Sequence, residues 1–396
     1  MHVDECVILA AGKGTRLDPI TRNRPKPLLP LAGKPLLLWQ LEFLSQVGIR
    51  KITIVKHYLG ELIIKTVMKY KDILKIEVEF VDQEKPLGTA HALEVTEEFV
   101  RAPFLLMYGD ITITPEVIRE AIRSLEKESK IEAVAIGVEV NDPWNYGVFK
   151  LQGDRLVDLI EKPRKGTEPS NLINAGIYLF RSNMIYDFVK RTGFSPRGEK
   201  ELTDSLKMLA KKYYVKVLKM SKDWWFDIGK PWDLLNANKF FLSKYGNKQV
   251  KLKKGTSKEV KIIPPVYIGD NVHIGENSVI GPFTVLCNNV EVQENSTIRN
   301  SIVLEDTRIG PNVKISNSII GSKVVIDENV QIYSHWSDES SIWVRVKGKL
   351  VDSGCKELGA IIGDRVWIKS NTIITPGIVI MPNRVVKGGV IDEDVL

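Results

Sequence analysis

The chain has 396 residues, of which 43% are hydrophobic and 27% are charged, and its formal net charge is +7 at pH 7. This length favours two domains over a single core, and no apolar run approaches the roughly 20 residues that cross a bilayer. The lysines are dispersed among 49 acidic residues, so the charge favours an anionic ligand and does not indicate nucleic acid.

Strand and helix patterns alternate through residues 1–243. Residues 7–10 are an apolar run that predicts a buried strand, and residues 104–108 predict another, which ends at Gly109 and Asp110. Repeated strand–helix units predict a mostly parallel sheet with helices on both faces. Ligands of such sheets bind beyond the carboxyl ends of the strands, so the loops that follow these two strands are expected to meet at one site.

A glycine-rich loop follows the first predicted strand. It contains Gly12 and Gly14, with Arg16 in the same turn and Lys26 after Pro25. Such a loop directs backbone N–H groups and positive charge to one place, as phosphate binding requires. The spacing fits neither a dinucleotide fingerprint nor a P-loop. The loop alone indicates an anion site or, alternatively, a glycine turn with surface cations.

The chain changes character after residue 243. Residues 244–261 contain seven lysines and one acidic residue, which predicts a solvated basic linker. From residue 262 onwards apolar residues recur every six positions, with short phase slips, as at Ile262, Ile268, Ile274, Ile280, Leu286, Val292 and Ile298. A six-residue period predicts a parallel β-helix over residues 262–396, in which each coil has three short faces.

The motifs L-A-A-G-K-G-T-R-L-D-P, R-P-K-P-L-L-P, Y-G-D and W-W-F-D-I-G-K-P, followed by the hexapeptide region, resemble the sugar-1-phosphate nucleotidylyltransferases. The chain is most similar to the archaeal two-domain type, which resembles N-acetylglucosamine-1-phosphate uridyltransferase/glucosamine-1-phosphate acetyltransferase. The resemblance implies an α/β fold, with a Rossmann-like mixed or parallel sheet in a nucleotidyltransferase domain (1–243) and a left-handed parallel β-helix (262–396) that forms trimers. It also implies Mg²⁺-dependent transfer of a nucleoside monophosphate to a sugar 1-phosphate with release of pyrophosphate. The expected partners are therefore a nucleoside triphosphate and a sugar 1-phosphate, without nucleic acid or membrane.

The resemblance also assigns residues. Arg16 and Lys26 are expected to act on the phosphates, and Asp110 and Asp227 are expected to be catalytic and to hold Mg²⁺, a cation that binds carboxylates together with substrate phosphates. The residues implied to bind the nucleotide are Leu9, Ala10, Ala11, Gly12, Gly14, Thr15, Gln83, Gly88 and Thr89. Those implied to bind the sugar phosphate are Gly147, Glu161, Lys162 and Asn174.

Gln83 bears on the choice of base. A side-chain amide offers a donor and an acceptor, which match the imide edge of uracil or thymine. This favours UTP or dTTP, without separating the two. His91 is expected to pack within its helix, and the Trp224–Phe226 block within the core. The sugar-binding motifs leave glucose and N-acetylglucosamine open.

The β-helix leaves two alternatives to a single nucleotidyl-transfer activity. Bifunctional relatives also acetylate an amino-sugar 1-phosphate, but Glu357 stands where they carry a lysine and the corresponding coils lack a histidine, so a structural or oligomerising role is expected here. A non-catalytic sugar-nucleotide-binding regulator is the other alternative, and the intact charged residues speak against it.

The three cysteines, Cys6, Cys287 and Cys355, are far apart in the sequence. They indicate reduced thiols, not a disulfide framework. No secretion signal is recognisable at the N-terminus. The sequence therefore predicts a cytoplasmic protein.

Overall fold

The computed structural model describes residues 2–246 and 259–396, so most of the predicted linker at 244–261 lies outside the described residues. The chain divides into two compact units, and each is built from separate stretches of sequence. The first unit comprises Met1–Lys13, Pro25–Leu28 and Leu36–Asp227. The second comprises Gly14–Arg24, Leu29–Pro35 and Ile228–Leu396.

The strands up to residue 246 are β1 (Glu5–Leu9), β2 (Pro30–Leu31), β3 (Lys34–Pro35), β4 (Lys51–Lys56), β5 (Glu77–Asp82), β6 (Phe104–Tyr108), β7 (Ile131–Glu139), β8 (Gly147–Gln152), β9 (Arg155–Glu161), β10 (Leu172–Phe180) and β11 (Tyr214–Met220). The α-helices are α1 (Leu36–Gln46), α2 (Gly60–Met68), α3 (Lys71–Leu74), α4 (Thr89–Glu94), α5 (Pro115–Lys127), α6 (Ile185–Arg191), α7 (Leu202–Lys212) and α8 (Pro231–Tyr245). Short 3₁₀ helices lie at Thr15–Leu17, Lys26–Leu28, Pro143–Asn145 and Lys222–Trp224.

The first unit is organised around a mixed sheet with the strand order β5-β4-β1-β6-β10-β7-β11-β9-β8. Strands β5, β4, β1 and β6 are parallel, whereas β10 runs antiparallel to both β6 and β7. This Rossmann-like α/β arrangement confirms the predicted fold class. Because β1 and β6 are parallel neighbours, with Leu9 in register with Tyr108, the loops that follow them leave the sheet at the same edge.

Prolines lie at or next to the starts of helices α5 and α1. Helix α5 begins at Pro115, a position at which the missing N–H of proline has no partner in the helix anyway. Helix α1 begins at Leu36, because Pro35 belongs to β3. The central strand β7 is buried over nearly its whole length, as a strand covered on both faces requires.

Most of the second unit is a parallel β-helix. Its strands are β12 (Lys261–Ile262), β13 (Val266–Ile268), β14 (His273–Ile274), β15 (Val279–Ile280), β16 (Thr284–Leu286), β17 (Glu291–Val292), β18 (Thr297–Arg299), β19 (Ile302–Val303), β20 (Arg308–Ile309), β21 (Lys314–Ser316), β22 (Ile319–Ile320), β23 (Val325–Ile326), β24 (Gln331–Ile332), β25 (Trp343–Val346), β26 (Lys349–Asp352), β27 (Ile361–Ile362), β28 (Trp367–Ile368), β29 (Thr372–Ile374), β30 (Val379–Ile380), β31 (Val385–Val386) and β32 (Gly389–Ile391).

Three parallel sheets form the faces of the coils, in the orders β12-β15-β18-β21-β24-β29-β32, β13-β16-β19-β22-β27-β30 and β14-β17-β20-β23-β28-β31. The periodic apolar residues point inwards, and Ile280, Val292 and Ile298 have no exposed surface. Asparagines such as Asn277 and Asn295 occupy turns with positive φ, a conformation that asparagine tolerates. The predicted hexapeptide β-helix is confirmed, and its architecture is consistent with the left-handed form that the resemblance implies. The antiparallel hairpin β25–β26 interrupts the coils.

Two N-terminal stretches belong to the second unit. The backbone N–H of Ala32 donates to Oδ1 of Asn238 in α8 at 2.9 Å. Gly33 has a φ of +80°, and a Cβ atom at this position would lie 2.1 Å from Cδ1 of Tyr267. A side chain at residue 33 is therefore excluded by the tyrosine ring. Among the described residues, every helix is too short or too polar to span a bilayer.

Candidate active site

The glycine loop lines a cavity at the carboxyl edge of the sheet in the first unit. The cavity has a volume of about 230 Å³ and is lined by Leu9, Ala11, Gly12, Gln83, Pro86, Gly88, Thr89, Ala92, Tyr108, Asp110 and Glu199. Residues from the ends of β1, β5 and β6 and from the start of α4 thus come together, as the parallel register of the strands predicts. Ala10 is buried beside them, and its backbone N–H donates to the carbonyl of Val55 at 2.8 Å.

Lys26 lies between two carboxylates in the first unit. Its Nζ is 2.6 Å from Oδ2 of Asp110 and 3.7 Å from Oδ1 of Asp227. The lysine side chain is only 7% exposed, whereas that of Asp110 is 34% exposed and faces the cavity. A buried ammonium group needs such partners, because an unpaired charge loses its hydration without compensation.

Backbone contacts explain why the two aspartates meet although 116 residues separate them in the sequence. Ile111 and Asp227 form an antiparallel bridge, and the backbone N–H of Thr112 donates to the carbonyl of Phe226 at 3.0 Å. The hydroxyl of Thr112 donates to the carbonyl of Trp224 at 2.6 Å. Trp224 and Trp225 are buried, as predicted for this block, whereas Phe226 is half-buried. The tryptophans therefore anchor the segment that presents Asp227.

The amide of Gln83 has a defined orientation. Its Nε2 donates to the carbonyl of Gly88 at 2.9 Å and lies 3.1 Å from Nδ1 of His91. The carbonyl can only accept, so the amide nitrogen must face it. Nδ1 of His91 then acts as the second acceptor, because an amide nitrogen has only hydrogens to offer. Thus His91 contacts Gln83 as well as packing on its helix, and Oε1 of Gln83 is the amide atom left for a ligand.

Three residues predicted to bind the sugar phosphate, Gly147, Glu161 and Lys162, lie close together. Gly147 and Glu161 are paired in the β8–β9 register, and a Cβ atom at Gly147 would lie 2.9 Å from Oε2 of Glu161. Lys162 follows with a positive φ, and its backbone N–H donates to the carbonyl of Tyr146 at 2.9 Å. Only glycine at position 147 leaves the space beside this carboxylate open.

A hydroxyl chain connects Asn174 with the cavity. Nδ2 of Asn174 donates to the hydroxyl of Tyr178, which lies 3.5 Å from the hydroxyl of Tyr108. Burial raises the pKa of Tyr178 to about 12. The pKa of Tyr108 is raised well above its ordinary value, mainly by burial and to a smaller extent by the neighbouring Tyr178. Both tyrosines therefore stay neutral at physiological pH, and of the two only Tyr108 lines the cavity.

Comparison with known proteins identifies the family. The family model described as Nucleotidyl transferase matches residues 5–244, and the model described as GMPPB C-terminal domain matches residues 262–396. The chain belongs to the nucleotidyl transferase family. It is 36% identical to the bifunctional protein GlmU of Methanococcus maripaludis, over 99% of this chain and 95% of that protein.

A second relative of this family comes from Sulfurisphaera tokodaii. This bifunctional sugar-1-phosphate nucleotidylyltransferase/acetyltransferase is 35% identical, over 98% of the chain and 97% of the relative. Among solved structures, UDP-glucose pyrophosphorylase complexed with UDP-glucose matches with a TM-score of 0.54 and 24% identity, over 61% of this chain and 100% of that one. This last likeness concerns the fold alone.

Three residues of the glycine loop that were predicted to act on the nucleotide belong to the second unit. Gly14, Thr15 and Arg16 belong to the stretch Gly14–Arg24, in which the backbone N–H of Leu17 donates to the carbonyl of Gly14 at 2.9 Å. Gly14 has a φ of 65° at the start of the 3₁₀ helix. The remaining predicted residues, from Leu9 to Asp227, lie in the first unit.

The carboxylates of this nucleotidyl transferase suit a hard cation that also binds substrate oxygens. Among the described residues, no cluster of three or more His, Cys, Asp or Glu side chains could hold a metal by itself. Asp110 and Asp227 instead offer a pair of carboxylates. Magnesium commonly binds one or two carboxylates together with substrate phosphates, so this donor set fits Mg²⁺.

The sequence analysis missed a cation beside Glu161. Nη2 of Arg197 lies 3.2 Å from Oε1 of Glu161 and 2.7 Å from Oε1 of Glu201. Although burial acts to lower it, these two carboxylates raise the pKa of Arg197. Arg197 lies in a loop that also carries Glu199, which lines the cavity. The only signal in the sequence is an arginine next to a glycine among acidic residues, and such a pattern is common on protein surfaces.

Proposed function

We propose that this chain is a Mg²⁺-dependent nucleotidylyltransferase that transfers a nucleoside monophosphate from UTP or dTTP to a sugar 1-phosphate, either glucose 1-phosphate or N-acetylglucosamine 1-phosphate, and releases pyrophosphate. One observation carries the proposal: Lys26 lies between Asp110 and Asp227, and Asp110 lines the same cavity as Gly12 of the glycine loop. The names of the full-length relatives support the same reaction class.

The reaction joins two phosphates that repel each other. An oxygen of the sugar phosphate attacks the α-phosphorus of the triphosphate and forms a P–O bond, while the bond to the leaving pyrophosphate breaks. The attacking oxygen is already an anion, so the site needs charge neutralisation and in-line alignment more than a catalytic base. Lys26 supplies a fixed cation for the α-phosphate, and Arg16 supplies one for the pyrophosphate.

Asp110 and Asp227 would hold the magnesium ion. When bound, Mg²⁺ supplies positive charge to phosphate oxygens and orients them. The protein's own part is to hold the two carboxylates together through the bridge between Ile111 and Asp227. The buried neighbours Trp224 and Trp225 keep the segment that carries Asp227 in place.

The orientation of Gln83 supports a base with an N–H in its imide edge. Oε1 of Gln83 can accept a hydrogen bond from N3–H of uracil or thymine. Cytosine has no hydrogen on N3, so its ring nitrogen would face the amide oxygen without a bond. Gln83 is only 3% exposed, so the mismatch would not be relieved by bulk solvent.

Glu161, Lys162 and Asn174 are proposed to bind the sugar phosphate, with Gly147 leaving room for it. Arg197 adds a cation to this group because it contacts Glu161. Glu161 would accept hydrogen bonds from sugar hydroxyls, and Lys162 would bind the phosphate. Burial raises the pKa of Glu201, although the positive charge of Arg197 acts to lower this pKa.

For the β-helix we propose a structural and oligomerising role. The position at which bifunctional relatives carry a lysine holds Glu357, and Nδ2 of Asn317 lies 3.4 Å from its Oε2. A carboxylate there cannot neutralise an anionic substrate. Incubation with acetyl-CoA and glucosamine 1-phosphate tests this role, and rapid release of free CoA would overturn it. Trimer formation and a cytoplasmic location stay predictions; light scattering measures the first.

A pyrophosphate-release assay tests the proposed reaction. The full chain is incubated with Mg²⁺ and each pair of one nucleoside triphosphate and one sugar 1-phosphate. We expect turnover with UTP or dTTP and with glucose 1-phosphate or N-acetylglucosamine 1-phosphate. Absence of turnover with every pair would favour the non-catalytic regulator instead.

A further inference from the structure

The stretch Gly14–Arg24, which carries Arg16, is fastened to coils of the β-helix within the second unit. Arg24 makes a two-pronged ion pair with Glu305, with Nη1 3.2 Å from Oε1 and Nη2 2.7 Å from Oε2. Nη2 also donates to the hydroxyl of Ser322 at 2.9 Å, and this hydroxyl donates to Glu305 at 2.9 Å. Bidentate arginine–carboxylate pairs are strong and directional, so Arg24 is held in one orientation.

A second contact lies beside the first. Nδ2 of Asn23 donates to Oδ2 of Asp364 at 3.0 Å, and Oδ1 of Asp364 accepts from the backbone N–H of Ser322 at 2.9 Å. The five side chains therefore form one connected polar network. Arg24 is half-buried in it, which limits competition from water.

The partners of this stretch share one position in the coils. Glu305, Ser322 and Asp364 each come two residues after a strand of the same sheet, namely β19, β22 and β27, which are direct neighbours. We call these three residues the corner column. The left-handed turn conformation falls on the next residue of each coil, as at Asp306 with a φ of 61°. The turns therefore do not require the polar side chains of the corner column.

The stretch itself is braced by internal hydrogen bonds. The hydroxyl of Thr21 donates to the carbonyl of Gly14 at 2.9 Å, and the backbone N–H of Ile20 donates to the carbonyl of Leu17 at 3.0 Å. Arg22 pairs with Asp18 at 3.5 Å. These bonds connect the anchored end near Arg24 to the turn that carries Arg16, so a displacement at one end is transmitted to the other.

We propose that Arg24 and Asn23 are positioning residues for nucleotidyl transfer: by fastening the stretch Gly14–Arg24 to the corner column, they hold Arg16 in place for the leaving pyrophosphate. This inference rests on the proposed function. Because Arg16 acts on the leaving group, loosening of the anchor weakens the interaction with pyrophosphate more than that with the nucleotide sugar.

The reverse reaction tests this asymmetry. The assay measures pyrophosphorolysis of the nucleotide sugar by three variants: Arg24→Ala, Glu305→Ala and the charge exchange R24E/E305R. KM is measured separately for pyrophosphate and for the nucleotide sugar. We expect KM for pyrophosphate to rise about tenfold in the single variants, as expected for a misplaced binding group. KM for the nucleotide sugar stays near the wild-type value, and the charge exchange recovers part of the loss.

The matched control is Arg308→Ala. Arg308 makes an exposed ion pair with Glu291 at 3.6 Å on another face of the coils, and loss of such a pair is expected to change either KM by less than about twofold. If Arg24→Ala does not fold, as judged by Tm, Asn23→Ala carries the same prediction with a smaller change. Wild-type turnover with unchanged KM for pyrophosphate in the folded variants overturns this inference alone. A wild type without turnover overturns the proposed function and this inference together.

Discussion

Nζ of Lys26 lies 2.6 Å from Oδ2 of Asp110, so the motif lysine and a candidate metal ligand form a direct ion pair. Asp227 lies on the other side of the same ammonium group at 3.7 Å. One cation facing two carboxylates leaves the cluster with net negative charge. A divalent cation would make the charge positive, as two phosphates approaching each other require.

Lys26→Ala is expected to lower kcat for nucleotidyl transfer by about 10²–10³, because one fixed positive charge at the transition state is lost. The measurement is the initial rate of pyrophosphate release at saturating substrates. Lys51→Ala is the control, because the Lys51 side chain is exposed and its Nζ lies 3.8 Å from Oε1 of Glu5. A Lys26→Ala rate near that of the wild type would contradict the role of Lys26.

Removal of divalent cations with EDTA is expected to abolish turnover, and added Mg²⁺ to restore it. Asp110→Asn and Asp227→Asn each remove one negative ligand, so we expect a higher Mg²⁺ concentration for half-maximal rate and a kcat reduced by about 10²-fold or more. Magnesium titrations of initial rate measure both effects. Full activity in EDTA, or variants with unchanged magnesium dependence, would exclude the two aspartates as ligands.

His91→Phe is expected to reduce the preference for UTP over CTP. Without an acceptor at Nδ1, the amide of Gln83 loses one of the two bonds that keep its oxygen available for N3–H, and one such bond is worth about 1 kcal/mol. The ratio of kcat/KM values for UTP and CTP is therefore expected to fall about fivefold. His91→Gln retains an acceptor and serves as the rescue variant. An unchanged ratio in His91→Phe would show that His91 only packs.

The stability provided by Glu305 is expected to depend on pH. Burial acts to raise its pKa, but Arg24 and Ser322 outweigh burial and hold the pKa below the ordinary value for glutamate. A carboxylate with a lowered pKa in the folded state contributes stability above its unfolded pKa, and this contribution is lost as pH falls through the folded pKa. Wild type and Glu305→Gln are therefore expected to differ in Tm at pH 7 and to converge in acid.

Thermal unfolding at several pH values measures this difference. After allowance for partial exposure of the carboxylate, we expect about 1 kcal/mol at neutral pH. Glu291→Gln is the control, because its pair with Arg308 is exposed. A Tm difference that persists unchanged below the pKa range of glutamate would contradict the charged interaction.

Much of the fold could be predicted because its signals are local and repeated. The six-residue period reports directly which residues point into the coils, and the apolar runs before Gly12 and Gly109 report strands whose ends face the cavity. The pair formed by His91 and Gln83 could not be predicted, since it depends on the turn that brings the carbonyl of Gly88 to the amide. Arg197 was missed for a similar reason: its contact with Glu161 joins a loop to a strand, and no sequence spacing encodes that distance.

The sequence also could not predict that residues 14–24 and 29–35 belong to the second unit. A pattern of alternating strands and helices describes elements in chain order and contains no information about which short connecting stretches pack on distant coils. Only side-chain contacts, such as that between Asn238 and the backbone of Ala32, reveal the association.

The ring of Tyr267 against Gly33 also bears on how such chains can be recombined. An exchange of everything after residue 244 would place Gly33 against a foreign coil. In a chain with a larger residue at position 33, the coil would need a side chain smaller than tyrosine opposite it. Hybrid enzymes that join this first unit to another β-helix are therefore expected to need the two N-terminal stretches exchanged together with the coils. The two N-terminal stretches and the coils therefore have to change together, although they lie far apart in the sequence.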